Sequence, residues 1–201
     1  MKLIYKILIA SLFFFTNSFA QQTETIFPIR GFFNEKNYTP PYYYKDINNK
    51  MDKFLGTWEF NDGTNYLKIT FIKKERVESS PTYFYDKLVC EYQFKINDVE
   101  KYNTYGANST IDERGANGIL GSSFLSDNKI ELVYFEPPLN GCERYKNGML
   151  TLEYINNTPN QLIWTRVNSK VFGWKTTCGY GGTKDMSDQI IPENLTLTKV
   201  D

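Results

Sequence analysis

The sequence predicts an all-β protein, a single antiparallel meander closed into a barrel and preceded by one short helical turn. Three observations point there. Apolar and polar residues alternate with a period of two in about nine successive segments. Those segments are joined mostly by short stretches rich in Asn, Asp and Gly, the residues that tight turns require. The chain holds 15 Tyr, 15 Phe and 3 Trp among 201 residues, and aromatic side chains favour half-buried pleated strands. A two-sheet β-sandwich fits the same pattern and is the rival architecture.

Residues 1–20 read as an export signal. Lys2 and Lys6 supply a positive start, Ile7 to Phe15 form an apolar run, and Ser18-Phe19-Ala20 has the small residues of a cleavage site. The run is shorter than the ~20 residues that span a bilayer, so no membrane span is expected after cleavage; an N-terminal anchor is the alternative. No cysteine stands at the cleavage point, so the usual bacterial lipid attachment is not expected. The segment contains two lysines and no acid, so the remainder carries two more acids than bases. Such a chain has no electrostatic basis for binding nucleic acid or an anionic membrane. An abundance of Asn, Lys, Ile, Tyr and Phe matches A/T-rich codons and suggests a bacterial source. The expected destination is the periplasm, the cell envelope or the exterior.

Residues 21–47 form an N-terminal arm in which Pro28, Pro40 and Pro41 exclude a regular helix. It either lies extended on the domain or stays at the surface. The barrel domain spans 48–201. It opens with a helical turn capped by Asn48 or Asn49, whose Met51, Phe54 and Leu55 share one face. Gly56 permits the exit. The first strand places Trp58 and Phe60 on one face, and Asn61-Asp62-Gly63-Thr64 returns the chain as a hairpin. Leu67, Ile69 and Phe71 alternate with Lys68 and Thr70. Lys73–Pro81 is read as a polar loop. Tyr83–Lys95 is a long strand with Leu88, Cys90, Tyr92 and Phe94 inward. Asn97-Asp98 turns into Val99–Thr104, and Tyr105–Gly118 is a polar loop. The second half adds Ile119–Leu125, Lys129–Glu136, Met149–Ile155, Gln161–Val167 and Asn194–Val200. Trp164 and Arg166 share a face in this half, and the Gly-rich stretch 172–188 precedes the last strand.

Chemistry is sparse. The chain has no histidine, which removes the commonest general base and the Ser-His and Cys-His couples. Gly179–Lys184 is glycine-rich but lacks the phosphate-loop spacing. Paired carboxylates can act as a glycosidase dyad at ~5–10 Å separation. The candidates Glu59, Asp86, Glu91, Glu131, Glu136 and Glu153 mostly alternate with apolar residues and are expected to face solvent. Three cysteines without histidine make no convincing metal site, and no metal or cofactor is expected. Cys90 falls on an apolar strand face, where it reads as a small buried hydrophobe. Cys142 and Cys178 lie in Gly-flanked, turn-like segments and are the expected disulfide.

Phe54-Leu55-Gly56-Thr57-Trp58, a Gly-x-Trp motif behind a helical turn, resembles the lipocalin (calycin) pattern. That resemblance implies a Trp packed across one barrel end beneath an Arg from a late strand, with Arg166 the matching residue here. Tyr43-Tyr44-Lys45-Asp46, Met51–Trp58 and the ending Pro192–Lys199 also resemble a group of exported bacterial proteins of unknown function. That second resemblance implies export and a lipocalin-like barrel, and it carries no activity. Phe54, Gly56, Trp58, Trp164 and Arg166 are the expected structural positions.

The sequence therefore points to a non-enzymatic, monomeric exported protein that binds a small apolar or amphipathic ligand. The alternatives are an envelope or surface protein-interaction or inhibitor module, and a cryptic carboxylate-dependent hydrolase. Aromatic side chains can line a cavity in such a barrel or simply fill it. One test is direct. Mass analysis of the exported protein without reductant should give an N-terminus at Gln21 and a Cys142–Cys178 peptide pair. Three free thiols would contradict the pairing.

Overall fold

The computed structural model describes residues 24–29, 41–106, 119–135, 147–158, 160–168 and 191–201. The expected leader 1–20, Cys142, Cys178, Glu136, the loop residues 107–118 and Gly179–Lys184 lie outside the described residues. Among those described, the protein is all-β apart from one 3-10 turn at Asp52–Phe54.

Eleven strands form one mixed sheet. They are β1 (Thr25–Pro28), β2 (Tyr42–Lys45), β3 (Gly56–Asn61), β4 (Asn65–Ser80), β5 (Tyr83–Ile96), β6 (Val99–Asn103), β7 (Ile119–Ser126), β8 (Lys129–Phe135), β9 (Asn147–Tyr154), β10 (Gln161–Asn168) and β11 (Asn194–Lys199). The order is β1-β2-β5-β4-β3-β11-β10-β9-β8-β7, with β6 on β5 and a further β5–β7 pairing. From β3 onward neighbours are antiparallel and mostly joined in sequence order, as the alternation predicts.

The wholly antiparallel arrangement is corrected at the N-terminus, where β1 runs parallel to β2 and β2 parallel to β5. The sheet as a whole is not closed, because β1 pairs only with β2 and β6 only with β5 among the described residues. The cause is the length of β5. Its 14 residues are matched along one edge by β4. The other edge is divided among β2 at Tyr83–Tyr85, β7 at Leu88 and Val89, and β6 at Gln93–Ile96. Backbone groups buried without a partner are costly, so the arm supplies a strand where the meander leaves an edge open.

The polar stretch after Ile72 is also strand rather than loop. β4 continues to Ser80, and Val77 is its only buried residue beyond Phe71. Its polarity reflects the exposure of nearly every side chain there, not the end of the strand. The register shifts between Lys74 and Val77, opposite Asp86, and Arg76 there has φ 51°. This is a β-bulge, where one extra residue interrupts the ladder.

Asp86 repairs that interruption. It was grouped with solvent-facing acids, yet it is fully buried, in phase with Leu88, Cys90, Tyr92 and Phe94. Its Oδ1 accepts from the Arg76 amide at 2.9 Å and the Tyr43 hydroxyl at 2.5 Å. Its Oδ2 accepts from the Asp46 amide at 2.8 Å. One carboxylate thus satisfies the donors freed by the bulge and by the end of β2. Asp46 continues the chain of contacts, accepting the amides of Lys50 at 2.8 Å and Met51 at 3.0 Å. Among the described residues no side chain caps the helical turn, whose N-cap is Met51; Asp46, not Asn48 or Asn49, holds the backbone that leads into it. Asn49 has φ 52°, and the backbone between Asp46 and Met51 curls around the Asp46 carboxylate. Lys73 Nζ lies 3.2 Å from Asp46 Oδ2 and 3.5 Å from Asp52 Oδ1. Burial alone would lower the Lys73 pKa, but the hydrogen bond and charge of Asp46, helped by Asp52, raise it above its ordinary value.

The core holds Trp58, Trp164, Tyr92, Tyr134, Phe54, Phe71 and Phe94, each wholly or almost wholly withdrawn from solvent. Around Tyr42, Tyr44 and Tyr83 the arm adds ring contacts at 5.2–5.9 Å. Cys90 lies in the same core, where burial pushes its thiol up to about 12.

The Asp86 hydrogen bonds and the burial of Cys90 both have measurable consequences. Asp86→Ala should cost about 3–5 kcal/mol in urea denaturation, because it strands three donors. Tyr43→Phe should cost about 1.5–3 kcal/mol and exposed Glu153→Ala less than about 0.5 kcal/mol. Cys90 keeps its proton in the native state, whereas the unfolded thiol ionises from about pH 9. Its contribution to stability is therefore complete below pH 9 and lost as pH rises toward 12. In a Cys142→Ser/Cys178→Ser background, stability should fall about 1.4 kcal/mol per pH unit more steeply across that window than with Cys90→Ala added. The native thiol should ignore a disulfide reagent at pH 8 until the protein unfolds.

Candidate functional site

The strand registers define two ends of the eight strands β3–β5 and β7–β11. At one end the helical turn is fastened. Lys50 Nζ meets Asp127 Oδ1 at 2.6 Å, and Lys53 Nζ donates to the Asp127 carbonyl at 2.8 Å and Asn128 Oδ1 at 2.7 Å. Phe54 packs against Phe124 and Tyr154 at ring distances of 6.4 and 6.5 Å. Trp58 lies beneath, fully buried, its Nε1–H donating to the Phe54 carbonyl at 2.9 Å. Gly56 has φ 101°, and a Cβ there would meet Asp201 Oδ1 at 2.8 Å and Lys199 Cε at 3.0 Å. Both its conformation and its surroundings favour glycine.

The cation over Trp58 is Lys199, 5.5 Å from the ring centre, and not Arg166. The register explains this. Trp58 pairs with Lys199, and Thr198 pairs with Gln161. Arg166 therefore lies five residues beyond Gln161, more than about 16 Å along the strand from the level of Trp58.

Arg166 instead belongs to the opposite end, where Ile119, Phe135, Asn147, Asn168 and Asn194 gather. Its side chain is buried; Nη2 donates to the Ile191 carbonyl at 2.8 Å and the guanidinium sits 5.5 Å from the Tyr134 ring centre. Trp164 stands two residues deeper on the same face of β10, edge-on to Tyr134 at 6.2 Å and 79°. The Trp164 side chain is fully buried and its Nε1–H has no hydrogen-bond partner among the described residues. Close packing here requires a small residue on β9, since a Cβ at Gly148 would lie 2.9 Å from the Val167 carbonyl. The cluster is thus a set of buried N–H donors and aromatic faces at the end away from the helical turn. Trp164 and Arg166 were expected as structural residues; Tyr134 was not singled out, although it falls on the inward phase of β8 with Ile130 and Leu132.

The acids sort differently. Asp46 and Asp86 are buried neighbours, and both oxygens of each already accept hydrogen bonds or an ion pair. Glu59 accepts the Tyr66 hydroxyl at 2.9 Å and Glu153 pairs with Lys129 at 3.1 Å. Glu131 falls on the outward phase opposite Ser123 and Thr151, with its Oε2 buried and without a hydrogen-bond partner among the described residues. Among the described residues, no group of three Cys, Asp or Glu is arranged to hold a metal ion, and no helix is long and apolar enough to cross a membrane.

No curated protein and no solved structure matches the chain. A family model does match, over residues 1–200, and the chain that carries this sheet and its buried donor cluster belongs to the family of unknown function DUF6705.

Proposed function

We propose that this protein is an exported, non-enzymatic binder of a small amphipathic ligand whose acceptor head is held by Trp164 inside a lipocalin-like barrel. The single observation that carries the reading is the fully buried Trp164 Nε1–H, which has no acceptor among the described residues. A buried donor left unpaired costs about 1–3 kcal/mol, and a ligand acceptor removes that cost. The aromatic and aliphatic side chains around it suit the apolar body of the same ligand.

The barrel reading is supported by the pairings β5-β4-β3-β11-β10-β9-β8-β7 together with β7 on β5 at Leu88↔Gly121 and Val89↔Leu120. Eight strands is the size at which a barrel either fills with side chains or holds one small ligand. The export reading rests on residues 1–20. The non-enzymatic reading is supported by the lack of histidine and by the engagement of Asp46 and Asp86 as backbone acceptors. The Trp58 end is closed by Phe54, Phe124 and Lys199, so entry is assigned to the Arg166 end.

Dodecanoate and dodecanol, which differ in head group, test this. Dodecanoate should raise Tm and shift the Trp164 indole N–H resonance, and Trp164→Phe should weaken its binding tenfold or more. Unchanged affinity in that variant, or a silent indole resonance in the wild type, would refute the assignment.

A further inference from the structure

The outer surface carries a concavity unrelated to the Trp164 cluster. A polar groove of about 320 Å³ lies over β3, β4 and β5 beside the turns at Asp62–Thr64 and Asn97–Asp98. Its floor is built from outward strand positions. Tyr66 and Lys68 alternate with the fully buried Leu67 and Ile69, and Gln93 and Lys95 alternate with the fully buried Tyr92 and Phe94. Cross-strand register sets Tyr66 opposite Lys95 and Lys68 opposite Gln93. The four side chains therefore form one patch on a rigid ladder.

The patch is braced from below and from the side. The Tyr66 hydroxyl donates to Glu59 Oε1 at 2.9 Å, and Lys95 Nζ lies 5.5 Å from its ring centre. Burial, then the Glu59 hydrogen bond and charge, push the Tyr66 hydroxyl up to about 12. Lys68 Nζ is 3.8 Å from Glu59, and Gln93 Nε2 donates to Glu100 Oε2 at 2.6 Å, which fixes the amide with Oε1 remaining as an acceptor. The β3–β4 turn satisfies its own amides through Asn61 and Asp62. The Thr64 hydroxyl and the Asp98 carboxylate complete the rim.

The groove thus offers one aromatic ring, ammonium and hydroxyl donors, and amide and carboxylate acceptors. Lys68 and Lys95 are balanced by Glu59 and Asp98, so the charge does not favour a simple anion. The low apolar content does not favour a lipid chain. A pyranose ring fits this inventory, because its C–H face stacks on an aromatic side chain while each hydroxyl both donates and accepts. The volume is at the low end of ligand sites, about 300–1,000 Å³, which suits one or two sugar units.

We infer that this groove is a saccharide-binding site for one or two neutral hexopyranose units. It is independent of the interior ligand, since its residues face away from the core. Amide NMR titration of the full chain with glucose, galactose, mannose, N-acetylglucosamine, cellobiose and maltose tests it, with sodium sulfate as the anion arm. At least one sugar should shift residues 61–68 and 93–98 saturably, with dissociation in the millimolar range typical of a shallow site. Tyr66→Ala and Gln93→Ala should each weaken it at least fivefold; Gln93→Ala also serves if Tyr66→Ala fails to fold. Presaturation with dodecanoate should leave the sugar shifts unchanged. The inference is overturned if no sugar moves these residues, if sulfate alone does, or if the folded variants bind as the wild type does.

Discussion

The second edge of β5 is the constraint on which the rest of the structure depends. One strand of 14 residues meets three partners in series there, and the joins between partners leave the backbone without a ladder. A carboxylate can accept several hydrogen bonds at once, and Asp86 uses that capacity where β2 ends and β4 bulges. The N-terminal strands, the bulge and the helical turn are therefore coupled through one buried side chain and its neighbour Asp46. A hydrophobic residue of similar size would fill the space and leave the amides of Arg76 and Asp46 buried without partners, which is the larger cost.

That coupling also divides the molecule by role. The Asp46–Asp86–Lys73 cluster lies where the arm, β4 and β5 converge, and the helical turn carries it on to the β7–β8 turn through Lys50 and Lys53. This end is held by charge-assisted contacts, tight packing and a Trp whose N–H is satisfied. The Trp164 end has the opposite character, with a buried indole donor that lacks an acceptor among the described residues. Trp58 and Trp164 thus differ in whether the indole hydrogen bond is made within the described residues. Asp46 and Asp86, two buried acids, are engaged in accepting backbone amides.

Much of the fold was legible in the sequence. The alternation of Leu67, Ile69 and Phe71 with Lys68 and Thr70, and of Leu132 and Tyr134 with Glu131 and Val133, marks inward and outward faces directly, because side chains on a strand alternate regardless of context. Asn61–Thr64 and Asn97-Asp98 announced their turns through residues that tolerate unusual backbone angles. Asp86 was also legible in phase, since it falls on the inward face with Leu88 and Cys90. Its charge argued for solvent, and only the position of the bulge reveals why a carboxylate belongs inside. The polar run Lys73–Ser80 misled for a related reason: with Val77 its only buried residue, it has too little alternation to identify a strand, and its pairing with β5 is a long-range fact.

The sequence by itself determined the all-β character, the strand phases, the glycine at position 56 and the absence of histidine chemistry. These depend on local period, local sterics and composition. Tertiary structure decided the parallel docking of β1 and β2, the burial of Asp86, the replacement of Arg166 by Lys199 over Trp58, and the Trp164 indole's lack of an acceptor among the described residues. Each of these depends on register between segments far apart in the chain. A shift of a few residues along a strand moves a side chain by ~3.3 Å per residue, enough to exchange one partner for another without altering the pattern that the sequence displays.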